Sequence, residues 1–339
     1  MIRSGSGAFL PIRALLAVAT LLLVLATPCP NVTSAQTPNS LPIAYEIVVV
    51  ETIAHNESAF TQGLVIHEGR MYESTGMYDH SELRELDLET GEVLRTVPLD
   101  GSEFGEGLAV VGDELVQLTW KSGVAHRYSI ETFEQVGNFT FDGEGWGLCA
   151  MGDLLYMSNG SSMLTIRNPT DFSVVDEIEV TLGGEPLEQL NELECLADGT
   201  IYANVWYDDS IYLINGSSGQ VVGVVDASAL TPDEAESNHV LNGIAFDTNS
   251  AAIYVTGKYW PVMYEVTFQE VVEPSTDSNL PPGDGDENTP LFPPWEVLIL
   301  GGIAAALTFL LWGNGFDSLT KSRGVHNPPD VTEGLEGEE

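Results

Sequence analysis

Hydrophobic and polar positions divide the chain into three regimes. At the start, an apolar run at residues 14–26 follows Arg3 and Arg13 and gives way to small and polar residues. That is the layout of a secretory signal. Cleavage is expected after Ala35, giving a signal peptide at 1–35, with an uncleaved anchor as the alternative. Near the other end, residues 297–312 are almost wholly apolar between Trp295 and Trp312, which predicts one transmembrane helix over 295–313. Residues 273–294, rich in Pro, Gly, Ser and Asp and without periodicity, read as a linker. Lys321 and Arg323 put the acidic tail 314–339 on the cytoplasmic side. In the long middle regime, 36–272, apolar residues come in short alternating runs separated by Gly and Asp turns, the period of half-buried β-strands.

These runs recur. Gln62-Gly63-Leu64, Glu106-Gly107-Leu108, Trp146-Gly147-Leu148, Asn191-Glu192-Leu193 and Asn242-Gly243-Ile244 are spaced by 44, 40, 45 and 51 residues. After each comes a short apolar strand, a turn and a second strand, at 71–75, 115–120, 154–158, 201–206 and 253–258. Units of ~40 to 50 residues holding four short strands are the mark of propeller blades. The periodicity therefore predicts an all-β, five-bladed β-propeller, with two β-sandwich domains as the alternative. The last unit ends one strand short, and 45–53 is expected to supply that strand and close the ring.

In an antiparallel hairpin the start of the first strand lies beside the end of the second. One rim is thus expected to gather Gln62, Glu106, Trp146, Asn191 and Asn242 with Thr75, Trp120, Asn159, Trp206 and Lys258. The Gly-Leu part of the repeat is nearly constant while the residue before it varies, which suggests scaffold beside site.

Composition narrows the chemistry. With 51 Asp and Glu against 11 Lys and Arg, the formal net charge is -40, which excludes sequence-independent nucleic-acid binding. Lys occurs only at 121, 258 and 321, a surface habit suggestive of salt adaptation. Cys149 and Cys195 are open to two readings, a disulfide or free buried thiols. His55, His67, His80, His126 and His239 have no metal-ligand spacing, so no metal is assigned.

Blocks around these positions carry a resemblance. Phe60-Thr61-Gln62-Gly63-Leu64, Phe104-Gly105-Glu106-Gly107-Leu108, Leu118-Thr119-Trp120, Gly145-Trp146-Gly147-Leu148, Asn191-Glu192-Leu193-Glu194, Ala203-Asn204-Val205-Trp206, Val240-Leu241-Asn242-Gly243-Ile244-Ala245 and Thr256-Gly257-Lys258-Tyr259-Trp260-Pro261, together with Glu73-Ser74-Thr75-Gly76, resemble the glutamine cyclotransferases of plants and bacteria. The resemblance implies a five-bladed propeller that converts N-terminal glutamine of peptides or proteins to pyroglutamate with release of ammonia. It implies Glu106 as acid/base, Gln62, Asn191 and Lys258 as polar partners, and Trp120, Trp146 and Trp206, with Asn242, around the substrate. No cofactor is required, while a structural calcium ion is left open. Two positions depart from the family: Asp79 follows Tyr78 where Gly is usual, and Asn159 precedes Gly160 where Asp is usual. The chain is expected in the cell membrane as a single-pass protein with its catalytic domain extracytoplasmic. The alternatives are a calcium-dependent lactonase-like propeller, with Glu106, Asn191 and Asn242 around a cation, and a non-catalytic surface propeller binding peptides or sugars.

Overall fold

The computed structural model describes residues 41–232 and 238–272. They form an all-β fold whose sheets are arranged as in a propeller, with one 3-10 turn at Ser228–Leu230. The expected signal peptide, linker, membrane helix and tail lie outside the described residues, among which no helix is long and apolar enough to cross a membrane.

After β1 (Ile43–Ala54), β2 (Thr61–His67), β3 (Arg70–Thr75), β4 (Glu82–Leu86) and β5 (Val93–Pro98) make a four-stranded antiparallel sheet in chain order. The sheet of β6 (Gly105–Val111), β7 (Glu114–Thr119), β8 (Val124–Ser129) and β9 (Gln135–Thr140) repeats it, as does that of β10 (Leu148–Met151), β11 (Leu154–Met157), β12 (Met163–Arg167) and β13 (Val174–Glu179). A small hairpin not expected from the repeat follows, β14 (Thr181–Leu182) and β15 (Glu185–Pro186). Its turn is Gly183-Gly184, both at positive φ, as two-residue hairpin loops demand. Then come β16 (Leu190–Cys195), β17 (Thr200–Val205), β18 (Ser210–Asn215) and β19 (Val221–Asp226), and finally β20 (Leu241–Asp247), β21 (Ala252–Gly257) and β22 (Val262–Glu270).

In the three four-stranded sheets, burial falls from inside to outside. The second strand β3 is buried at every position but its first, whereas β5 and β9 alternate half-buried with exposed. The inner strands are covered on both faces, and they bury polar side chains such as Glu73, Ser74 and Thr75 of β3 along with apolar ones. The first strands touch one another in a cycle: β2 with β6, β6 with β10, β10 with β16, β16 with β20, and β20 with β2.

The constant Gly of the repeat belongs to this cycle. A Cβ on Gly63 would lie 2.6 Å from the Leu108 nitrogen, one on Gly107 2.5 Å from the Leu148 nitrogen, and one on Gly147 against the Asn191 carbonyl. The backbones approach too closely for a side chain. At the corresponding place in β16 stands Glu192, whose carboxylate reaches across the ring to accept from Leu64 N at 3.3 Å and Ile244 N at 2.9 Å.

Closure follows the expectation. β1 pairs antiparallel with β22, from Tyr45 opposite Glu270 to Ala54 opposite Val262. Its first residues also run parallel to β19, which merges the last two sets into one eight-stranded sheet. The two cysteines form a disulfide, Cys149 in β10 to Cys195 in β16 with Cα atoms 5.3 Å apart, so the free-thiol alternative is set aside.

Candidate active site

Glu106 sits in the second position of β6 and is only 4% exposed. Its Oε1 accepts a hydrogen bond from Gln62 Nε2 at 3.0 Å. Oε2 has no partner among the described residues. Gln62, in β2, is itself oriented: Asn242 Nδ2, from β20, donates to Gln62 Oε1 at 3.3 Å and to the Thr61 carbonyl at 2.8 Å. This chain of amides fixes which end of Gln62 faces the carboxylate. Burial drives the Glu106 pKa well above the ordinary carboxylate range; Lys258 pulls it down, and the Glu144 charge adds to the rise.

Lys258 follows β21 directly and is 4% exposed. Its Nζ lies 4.6 Å from the centre of the Phe60 ring. The ammonium makes no ion pair, with Glu106 or any other side chain, among the described residues. Burial brings its pKa down to about 8, against the attraction of Glu106.

The three indoles are half-buried. Trp120 Nε1 and Trp146 Nε1 donate to the same oxygen of Glu144, at 2.7 and 3.1 Å. The Trp146 and Trp206 rings meet edge to face at 5.5 Å, Tyr207 stacks on Trp206 at 4.6 Å, and Phe104 meets Trp120 at 5.6 Å. These contacts hold flat faces at fixed angles. Asn191, at the equivalent place in β16, is 3% exposed, and its side-chain amide makes no hydrogen bond among the described residues.

Two rim positions do not join this set. The Thr75 hydroxyl is spent on the backbone of Glu82 in β4, accepting from its nitrogen at 3.1 Å. Asn159 is exposed and closes a local turn, accepting from Ser161 N at 3.1 Å. Both do the backbone work for which short polar residues are common at strand ends.

Sequence reasoning passed over Glu144, which ties two indoles together, and Phe60 and Tyr259, whose rings meet at 5.1 Å beside Lys258. Glu144 lies two residues before the repeated triplet Trp146-Gly147-Leu148, whose first residue is Trp rather than a polar group, and that irregularity was the available signal. It also passed over the buried set of His55, Glu73 and Arg84. His55 Nδ1 faces the Trp260 carbonyl at 2.8 Å and Nε2 faces Glu73 Oε1 at 2.9 Å. Against burial, the Glu73 carboxylate keeps the His55 pKa raised. This pair secures the turn that carries Lys258. Among the described residues no three His, Cys, Asp or Glu side chains gather so as to hold a metal ion.

Comparison with known proteins is concordant. A family model described as Glutamine cyclotransferase matches residues 19–268. A glutaminyl-peptide cyclotransferase of Arabidopsis thaliana is 35% identical over 242 residues, which is 68% of this chain and 75% of that protein. The crystal structure of Myxococcus xanthus glutaminyl cyclase superposes with a TM-score of 0.65 at 41% identity, covering 68% of this chain and 100% of that one.

Proposed function

The chain belongs to the glutamine cyclotransferase family, and from that premise we propose how its buried carboxylate performs the reaction. The protein is a glutaminyl-peptide cyclotransferase, an acyltransferase that closes the N-terminal glutamine of peptides or proteins into pyroglutamate and releases ammonia.

The neutral α-amine attacks the side-chain amide carbon, forming the ring N–C bond. Glu106, through the oxygen that Gln62 leaves open, takes the proton that the attacking nitrogen sheds. It then delivers that proton to the departing nitrogen as the old C–N bond breaks, so that ammonia leaves rather than an amide anion. Such proton transfer is worth typically ~10² to 10⁴ in rate. Lys258 and Asn191 donate to the oxygen that becomes negative, contributing a few kcal/mol of preorganised stabilisation by analogy with other oxyanion holes, about 3 kcal/mol per donor. The faces of Trp120, Trp146 and Trp206, with Asn242 beneath, hold the flexible glutamine folded for attack. Every step uses groups of this chain and requires no cofactor.

The observation that carries the reading is a single carboxylate, 4% exposed, bound on one oxygen and open on the other, with a buried ammonium nearby. The test is ammonia release with matching mass loss from a Gln-initiated peptide, compared with Glu106→Gln. Turnover in the parent that vanishes in the variant is expected; equal turnover in both overturns the assignment.

The cycle of first strands and the β1–β22 pairing support reading the fold as five blades around one axis. The Cys149–Cys195 disulfide supports export to an oxidising compartment. With the leader at 1–35 and the apolar run at 295–313, we place the catalytic domain outside the cell membrane on a single-pass anchor.

A further inference from the structure

A second space, a pocket of about 450 Å³, is lined by residues including Gly76, Asp79, His80, Glu82, Arg84 and Tyr259. Tyr259 joins the two spaces: its ring meets Phe60 at 5.1 Å, and Lys258 Nζ lies 4.6 Å from the centre of Phe60. The ammonium that faces the glutamine is therefore no more than about 10 Å from the Tyr259 ring, a distance that three extended residues at ~3.4 Å each can span. A peptide held by its first residue must lay its second or third residue here or leave in another direction.

The lining is built for a polar occupant. Arg84 has a side chain only 8% exposed, gives Nε to Glu82 at 2.8 Å and Nη1 to Glu73 at 3.4 Å, and has no partner for Nη2 among the described residues. That guanidinium nitrogen is open to the pocket, and a peptide carbonyl would give it an acceptor. Asp79, at the mouth, is exposed, with backbone φ of 65°, a left-handed conformation that few residues other than Gly, Asn and Asp accept. Its nitrogen donates to the Gly101 carbonyl at 3.0 Å, and its carboxylate packs on Gly101, where a Cβ would collide with Oδ1. The carboxylate thus lies against Gly101 at the exposed edge of the pocket. With Arg84 already offset by Glu73 and Glu82, Asp79 leaves the pocket mouth negative.

We propose that this pocket receives the residues following the N-terminal glutamine and that Asp79 makes it select a cationic side chain there. The inference rests on the cyclotransferase reading and names the peptide class it prefers. The test measures kcat/KM of the purified full-length protein on three short peptides that begin Gln-Ala-Ala, Gln-Lys-Lys and Gln-Glu-Glu, each rate normalised to the first. Asp79→Asn tolerates the left-handed backbone and removes the charge; Asp79→Lys reverses it. The parent is expected to prefer the Lys peptide, with the Lys-to-Glu ratio falling by about fivefold in Asp79→Asn and further in Asp79→Lys, in line with one partly exposed ion pair. Since Asp79→Lys alters a formal net charge of -40 by only two, a change of that size is local. A ratio that stays at the parent's value in both folded variants overturns the subsite while leaving the activity intact. A parent that fails to cyclise even Gln-Ala-Ala overturns both.

Discussion

Glu106 is buried where a charge is expensive, and its raised pKa makes a prediction that separates chemistry from architecture. Between the ordinary carboxylate value and the raised one, the native chain holds a proton that the unfolded chain has lost, so stability falls as pH rises through that window. Glu106→Gln keeps an oxygen for the Gln62 bond and removes the ionisable group. We expect its turnover to drop by ~10² to 10⁴ while its melting temperature at neutral pH equals or exceeds the parent's. A variant that loses both would make Glu106 a structural residue. Lys258, with a pKa of about 8, must be charged to donate fully, whereas the substrate's α-amine, with a pKa near ~8, must be neutral. The kcat/KM profile should therefore be a narrow bell around pH ~8, and Lys258→Arg, which stays charged, should flatten the alkaline limb even as its altered shape lowers kcat. An alkaline limb of the same position in that variant would assign it to another group. Asn242 acts one step further back. It fixes the amide of Gln62, so Asn242→Asp, which cannot donate, should let Gln62 turn its oxygen toward Glu106, disfavour the Glu106 carboxylate and add its ionisation to the acid limb that the substrate amine otherwise sets, a change in pH profile that simple loss of packing would not produce.

At the scale of elements, the strands repeat because one packing problem is solved repeatedly, and that is why so much was legible. Second strands were expected at 71–75 and 253–258 and are found at Arg70–Thr75 and Ala252–Gly257, because a strand with buried faces has little freedom of register. What escaped was whatever only one unit possesses. The β14–β15 hairpin is an insertion, and Glu192 breaks the Gly rule at its position because its side chain bonds two other first strands. Glu144 belongs to a loop, where no period constrains it. Thr75 and Asn159 looked like site residues by position alone, and their hydroxyl and amide went to local backbone instead. The disulfide lies between first strands of two sets, a proximity that spacing in sequence cannot reveal. It closes a loop across 46 residues, for which chain entropy suggests ~4 kcal/mol, with ~2 to 5 typical when a native bridge is lost. Replacing Cys149 and Cys195 together by Ser should lower stability within that range in a denaturant titration, with an m-value that rises because the unfolded chain without its cross-link exposes more surface.

The whole molecule is set by its charge and its closure. Fifty-one carboxylates against eleven basic residues create self-repulsion that opposes the compact state and that salt screens over about 10 Å at 0.1 M. Several of those carboxylates are sealed in the interior with raised pKa values, Glu192 and Glu194 among them, chiefly through burial, and salt cannot reach them. The two populations predict different responses. Adding salt at neutral pH should raise the melting temperature steeply at first and then level off, because only the surface term is screened. Lowering the pH below neutrality should stabilise the chain through Glu192 and Glu194, whose raised values mean that protonation favours the native state, until protonation of Glu73 opposes it. Glu73 has a lowered pKa, so the stability it contributes is present above the ordinary carboxylate value and is lost as pH falls through its own. A maximum of melting temperature on the acidic side of neutrality, moved to higher pH in Glu194→Gln, would follow from that balance. Because ring closure by β1 makes every sheet depend on its neighbours, these effects should appear as one transition, and two separate transitions in calorimetry would count against a closed ring.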